Sequence, residues 1–125
     1  MALRGWARLL ERYEGDFVAP ELLWSEATSA LHEYAWRNQL AAEEMRAALL
    51  LVRDAPVLRR RPRGLRDRAW QIADRMGWAK TCDAEYCAVA ELLRCELVTT
   101  DRRLRAAGAR LGYVITPAEA VERIS

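Results

Sequence analysis

The sequence predicts an α/β fold: a small, mostly parallel sheet flanked by helices, with helices supplying most of the mass. Two observations predict it. First, segments with apolar residues at helical spacing alternate with short apolar and β-branched runs. That order favours parallel strands joined by helical crossovers. Second, the stretch from Glu91 to Leu104 reads as the end of a helix, a short buried strand and the start of another helix, with Asp101 at the handover. In α/β proteins, helix N-terminal amides and the carboxyl ends of parallel strands converge at such junctions, and ligands bind there. Aspartate is also a preferred N-cap, so a plain cap is the simpler account of Asp101 taken alone.

The elements follow in order. Leu3, Trp6, Leu9, Leu10 and Tyr13 recur at helical spacing, which predicts a helix over 3–13 stopped by Gly15. Asp16 to Ala19 is a short strand closed by Pro20. Pro20 and Glu21 suit a helix start, so the next helix runs from Pro20 to about Arg37. A third helix covers Ala41 to about Arg53 and ends before Pro56. Val57 and Leu58 form a short strand leading into the basic loop Arg59–Arg63. Gly64 to Met76 is amphipathic and stops at Gly77. Asp83 to Cys95 is a helix with a strongly apolar face, and Leu97 to Thr99 a strand. A helix over Arg102–Ala107, a strand over Tyr113–Ile115 and a helical turn over Pro117–Ile124 complete the chain. Three or four strands of this length make only a small sheet.

At 125 residues the chain is expected to form one domain with a real core. More than half the residues are apolar, which argues against disorder. No apolar run approaches the roughly 20 residues of a membrane span. The first residues lack a signal-peptide pattern, so a cytoplasmic protein is expected, with no membrane partner. The net charge of +2 does not discriminate among partners. Lys80 is the single lysine among many arginines, which supplies planar phosphate-binding groups. Cys82, Cys87 and Cys95 fit neither a zinc site nor a disulfide framework. Cys87 and Cys95 fall on an apolar helical pattern and read as small core residues, and His32 as a packing or surface residue. Trp24 and Trp70 read as core, while Trp36 and Trp78 are candidates for stacking or partner contact.

Three carboxylates stand out. Glu26 lies in one stripe with Leu22, Leu23 and Ala30, where an unpaired acid is costly unless the edge of the stripe is solvated. Asp83 opens its helix, again as a cap on the bland reading. Asp83 and Asp101 bracket one helix–strand unit, so the three acids can converge if both helix N-termini face one sheet edge. Converging acids repel unless a cation sits among them, and hard oxygen ligands suit Mg²⁺ or Mn²⁺.

These residues also carry a resemblance. Phe17-Val-Ala-Pro-Glu-Leu-Leu-Trp-Ser-Glu-Ala-Thr-Ser-Ala-Leu31 resembles the second strand and following helix of PIN domains, especially prokaryotic VapC-type toxins. Asp83-Ala-Glu-Tyr-Cys-Ala-Val-Ala resembles the family's Asp-Ala-x-Tyr-x-Ala-x-Ala helix, and Leu97-Val-Thr-Thr-Asp-Arg-Arg-Leu104 its Leu-Val-Thr-x-Asp-x-x-Leu segment. The resemblance implies a three-layer PIN-like sandwich and a Mg²⁺- or Mn²⁺-dependent endoribonuclease, the toxin of a toxin–antitoxin pair. It implies Glu26, Asp83 and Asp101 as metal-holding, catalytic carboxylates. Thr100, Arg102 and Arg103 are then placed to meet substrate. RNA, a cognate antitoxin and a second copy of the chain are the implied partners.

One departure is plain. PIN domains open with an apolar strand ending in aspartate, whereas this sequence begins in what reads as the helix after that strand. Residues 1–125 are therefore expected to be a single PIN-like domain, N-terminally incomplete relative to the family. A truncated start, a strand supplied by a partner, and a disabled module that binds RNA or protein without cutting all stay open.

Overall fold

A computed structural model describes residues 8–124. Trp6 and the start of the first predicted helix lie outside the described residues; 8–12 are helical. Ten elements follow: β1 (Phe17–Ala19), α1 (Leu22–Asn38), α2 (Ala42–Arg53), β2 (Val57–Arg59), α3 (Leu65–Met76), α4 (Cys82–Leu93), β3 (Leu97–Val98), α5 (Arg102–Leu111), β4 (Val114–Ile115) and α6 (Pro117–Ile124). The fold is α/β and helix-dominated, as the patterning predicts. The chain divides into two compact units, Asp16–Arg61 and the remainder.

In the unit of Asp16–Arg61, β1 and β2 pair in parallel, with Phe17 opposite Val57 and Ala19 opposite Arg59. The ladder extends one step further, because Arg60 N–H donates to Ala19 O at 2.9 Å. Pro20, which has no N–H to give, ends β1 and is itself buried. Helices α1 and α2 form the crossover and pack on each other. Helix α1 runs through Asn38 and is capped by Gln39 in the left-handed conformation (φ 49°, ψ 48°). Glu44 starts α2 by reaching back to the Ala41 N–H at 3.3 Å. Arg59 does not project freely from the basic loop. Its guanidinium lies 4.6 Å from the centre of the buried Trp24 ring, and its Nε is 3.5 Å from Glu21 Oε2.

In the other unit, α3 packs against α4 through small side chains. Leu65, Ala69, Ile72 and Ala73 are buried on α3, and Ala84, Cys87, Ala88, Val89 and Ala90 on α4. Small residues on facing helices let the backbones approach closely, so dispersion contacts are dense although few side chains are large. Gly77 stops α3 at φ 73°, which glycine adopts without steric cost. Strand β3 pairs with β4 in parallel, Leu97 opposite Val114 and Val98 opposite Ile115, with α5 as the crossover. The four described strands thus form two separate parallel ladders, one per unit.

Three expectations change. Helix α5 continues through Gly108 to Leu111. Gly108 works there as a close-approach residue, since an added Cβ would meet Val114 O at 3.2 Å and Val114 Cβ at 3.3 Å. Trp70 is 70% exposed, because the buried face of α3 passes through Ala69, Ile72 and Ala73 and turns its neighbour outward. Cys95 is exposed, because α4 already ends at Leu93 and Arg94 turns the chain at φ 55°.

Candidate metal centre

Asp101 follows β3 and begins α5. Thr99 N–H donates to Ile115 O at 2.9 Å and so fixes the end of the β3–β4 ladder. The Thr99 hydroxyl then accepts the Asp101 N–H at 3.0 Å. Asp101 is extended (φ −68°, ψ 125°), and its Oδ1 accepts the Arg103 and Leu104 N–H groups at 2.8 and 3.1 Å. Asp101 is therefore a true N-cap. One oxygen does the capping, while Oδ2 takes no part in it and the residue is exposed. Thr99 holds this turn, not Thr100, which is exposed. Their adjacency in sequence gives no sign of which hydroxyl turns back.

Asp83 behaves differently. Helix α4 starts at Cys82 behind Thr81, whose side chain makes no capping hydrogen bond. Asp83 is thus inside the first turn, where the helix dipole favours an anion. Its Oδ2 accepts Arg103 Nη2 at 3.0 Å. Asp83 is three-quarters covered while the Arg103 side chain is 80% exposed. One residue therefore touches both carboxylates: Arg103 gives its backbone N–H to Asp101 and its guanidinium to Asp83. A link across twenty residues leaves no periodic signal in the sequence.

Glu26 lies on α1 in the other unit and is exposed, so it stands on the solvated edge of its stripe. Within neither unit do three or more His, Cys, Asp or Glu side chains gather closely enough to hold a metal ion, among the described residues. The donor chemistry nonetheless fits a hard divalent cation. Asp83 and Asp101 are carboxylates joined through one residue, and a cationic group already sits on Asp83. Arg102, beside them, is exposed.

Behind Asp83 on the same helix is a polar network. Glu91 Oε1 accepts Arg68 Nε at 2.7 Å, Glu91 Oε2 accepts the Tyr113 hydroxyl, and Arg68 Nη1 reaches Gln71 Oε1 at 2.9 Å. The network ties α3 and α4 to the residue preceding β4. Burial first, and then the hydrogen bond to Glu91, push the Tyr113 hydroxyl well above its usual range. Burial pushes the Cys87 thiol up to about 11, against a lowering hydrogen bond from Tyr113.

A separate open groove of about 770 Å³ runs along α1, lined by Trp24, Ser25, Ser29, His32 and Trp36 among others. His32 is an exposed groove residue, and Trp36 is 78% exposed. No described helix is long and apolar enough to cross a membrane.

These features define a helix-dominated α/β protein with carboxylates at two helix N-termini, one directly after a parallel strand. The PIN domain family model matches residues 4–109, a span that contains Glu26, Asp83 and Asp101. The chain belongs to the PIN-domain family. It is 40% identical over 104 residues to a VapC ribonuclease of Mycobacterium bovis, covering 83% of this chain and 79% of that protein. Ribonuclease VapC9 of Mycobacterium tuberculosis matches with the same identity and the same coverage. No solved structure matches.

Proposed function

We propose that this chain is a metal-dependent endoribonuclease, the toxin of a toxin–antitoxin pair. The observation that carries the reading is the 40% identity to VapC ribonucleases across 83% of the chain. The two units are read as one PIN domain, because the family model spans both. Asp83 and Asp101 are the residues that would hold Mg²⁺ or Mn²⁺, and Glu26 is the third carboxylate the resemblance implies. When bound, such an ion supplies charge neutralisation on a phosphoryl group and lowers the pKa of water at the site.

The chain's own residues do the rest. Asp101 can offer Oδ2 without giving up its cap, because Oδ1 alone holds the α5 amides. Arg102 and Arg103 lie at the start of α5, where they and the helix amides favour a phosphate. Thr100 is exposed beside them. RNA is the substrate in this reading, which places the protein in the cytoplasm with it. A cognate antitoxin is the partner. A homodimer is supported by exposed apolar side chains in the α1–α2 pair: Tyr34 and Trp36 on α1, and Leu49, Leu50 and Leu51 on α2.

Purified protein is expected to cut RNA in Mg²⁺ or Mn²⁺ and to stop when the metal is chelated. Asp101→Asn should reduce cutting at least a hundredfold with its circular dichroism unchanged. Cutting that survives this substitution, or that proceeds in chelator, would sink the reading. Metal-independent RNA binding without cutting would point to a disabled module instead.

A further inference from the structure

Arg103 holds an unusual position: it is bonded to both carboxylates that the proposed function assigns to the metal, and the inference drawn from this rests on that reading. A guanidinium and a divalent cation want the same atom. Arg103 Nη2 sits 3.0 Å from Asp83 Oδ2, whereas Mg²⁺ needs carboxylate oxygens at roughly 2.0–2.1 Å. Placing both on one carboxylate would bring a permanent positive charge against a doubly charged ion.

We propose that Arg103 is the resident counter-charge of the metal-free site, and that a divalent cation gains Asp83 by displacing it. Two features make the exchange easy. The Arg103 side chain is 80% exposed, so the pair is screened by water and salt and is weak. The Arg103 backbone N–H stays on Asp101 Oδ1, so the first turn of α5 holds its shape while the guanidinium swings away. The same side chain thus has two successive uses. In the metal-free protein it adds a positive charge to the mostly covered Asp83. Once displaced, it remains anchored next to Asp101 as a planar donor suited to a phosphate of the substrate.

The test is Mn²⁺ binding to the RNA-free full chain, followed by calorimetry at low ionic strength. Arg103→Gln should bind Mn²⁺ about two- to fivefold more tightly than the wild type, the gain expected from removing a weak exposed competitor. Arg103→Lys should stay close to the wild type. Arg102→Gln removes the same charge one position away and should gain less than half as much. The advantage of Arg103→Gln should vanish near 1 M salt, where exposed charges are screened within about 3 Å.

Equal or weaker Mn²⁺ binding by Arg103→Gln overturns the displacement, as does an equal gain from Arg102→Gln, which would reveal a diffuse charge effect. Asp101→Asn in each background separates the two ideas. If that substitution weakens Mn²⁺ binding everywhere while Arg103→Gln changes nothing, the metal centre stands and the counter-charge falls. If no variant binds Mn²⁺ in a way that depends on Asp101, the metal reading falls and takes the counter-charge with it.

Discussion

At the scale of single residues, the site rests on two aspartates that look alike in sequence and do different work. Asp101 caps α5 through one oxygen, while Asp83 lies inside the first turn of α4 and pairs with Arg103. Asp101→Ala should therefore cost about 1 kcal/mol in urea unfolding, the usual loss for a removed cap, while Asp101→Asn should stay within a few tenths because its carbonyl can accept the same amides. If the asparagine variant falls as far as the alanine variant, the cap is not where the stability lies. The role of Asp101 was legible because cap chemistry is local: a strand, an aspartate and an uninterrupted helical run suffice. The partner of Asp83 was not legible, since Arg103 was expected only to meet substrate and its distance along the chain hides the contact.

At the scale of elements, the sequence placed every helix and strand that falls among the described residues, and missed mainly the ends. Ends are set by tertiary fit. Gly108 reads as a stop in isolation, yet α5 keeps it because β4 approaches closely there. The network around Glu91 shows what joins elements beyond apolar packing. Glu91 is 21% exposed and holds Arg68 and Tyr113 at once. Removing it takes a partner from each, so Glu91→Ala should cost about 2 kcal/mol and lower the melting temperature by roughly 6–10 °C. The Glu33–Arg37 pair is a fair control, since both its side chains are more than half exposed. Glu33→Ala there should cost less than about 0.5 kcal/mol. Similar losses from the two substitutions would show that the network adds nothing beyond an ordinary surface pair.

At the scale of the whole molecule, the parallel pairing was legible as a class but its division was not. Ladders of two or three residues carry too little pattern to reveal which strands pair. Global stability should nevertheless have a readable alkaline limit. An unfolded thiol ionises near ~8.5, whereas the buried Cys87 thiol ionises only near about 11. The folded chain thus holds this proton more tightly. Its contribution to stability is complete below about pH 8.5 and is lost progressively as pH rises towards 11. Tyr113 is shifted in the same direction and extends the loss to higher pH. Thermal melts between pH 7.5 and 10.5 should show a steady fall for the wild type and a shallower one for Cys87→Ala. Parallel slopes for the two proteins would remove Cys87 from the account.

The cap that Asp101 makes also bears on how lineages of this fold age. Whatever a member of the fold does, α5 has to begin cleanly, so drift at position 101 is confined to residues that cap, and aspartate can persist there for mechanical reasons alone. Position 83 is held differently. Helix α4 begins behind Thr81, and an acid at 83 gains from the first-turn dipole and from its pair with Arg103.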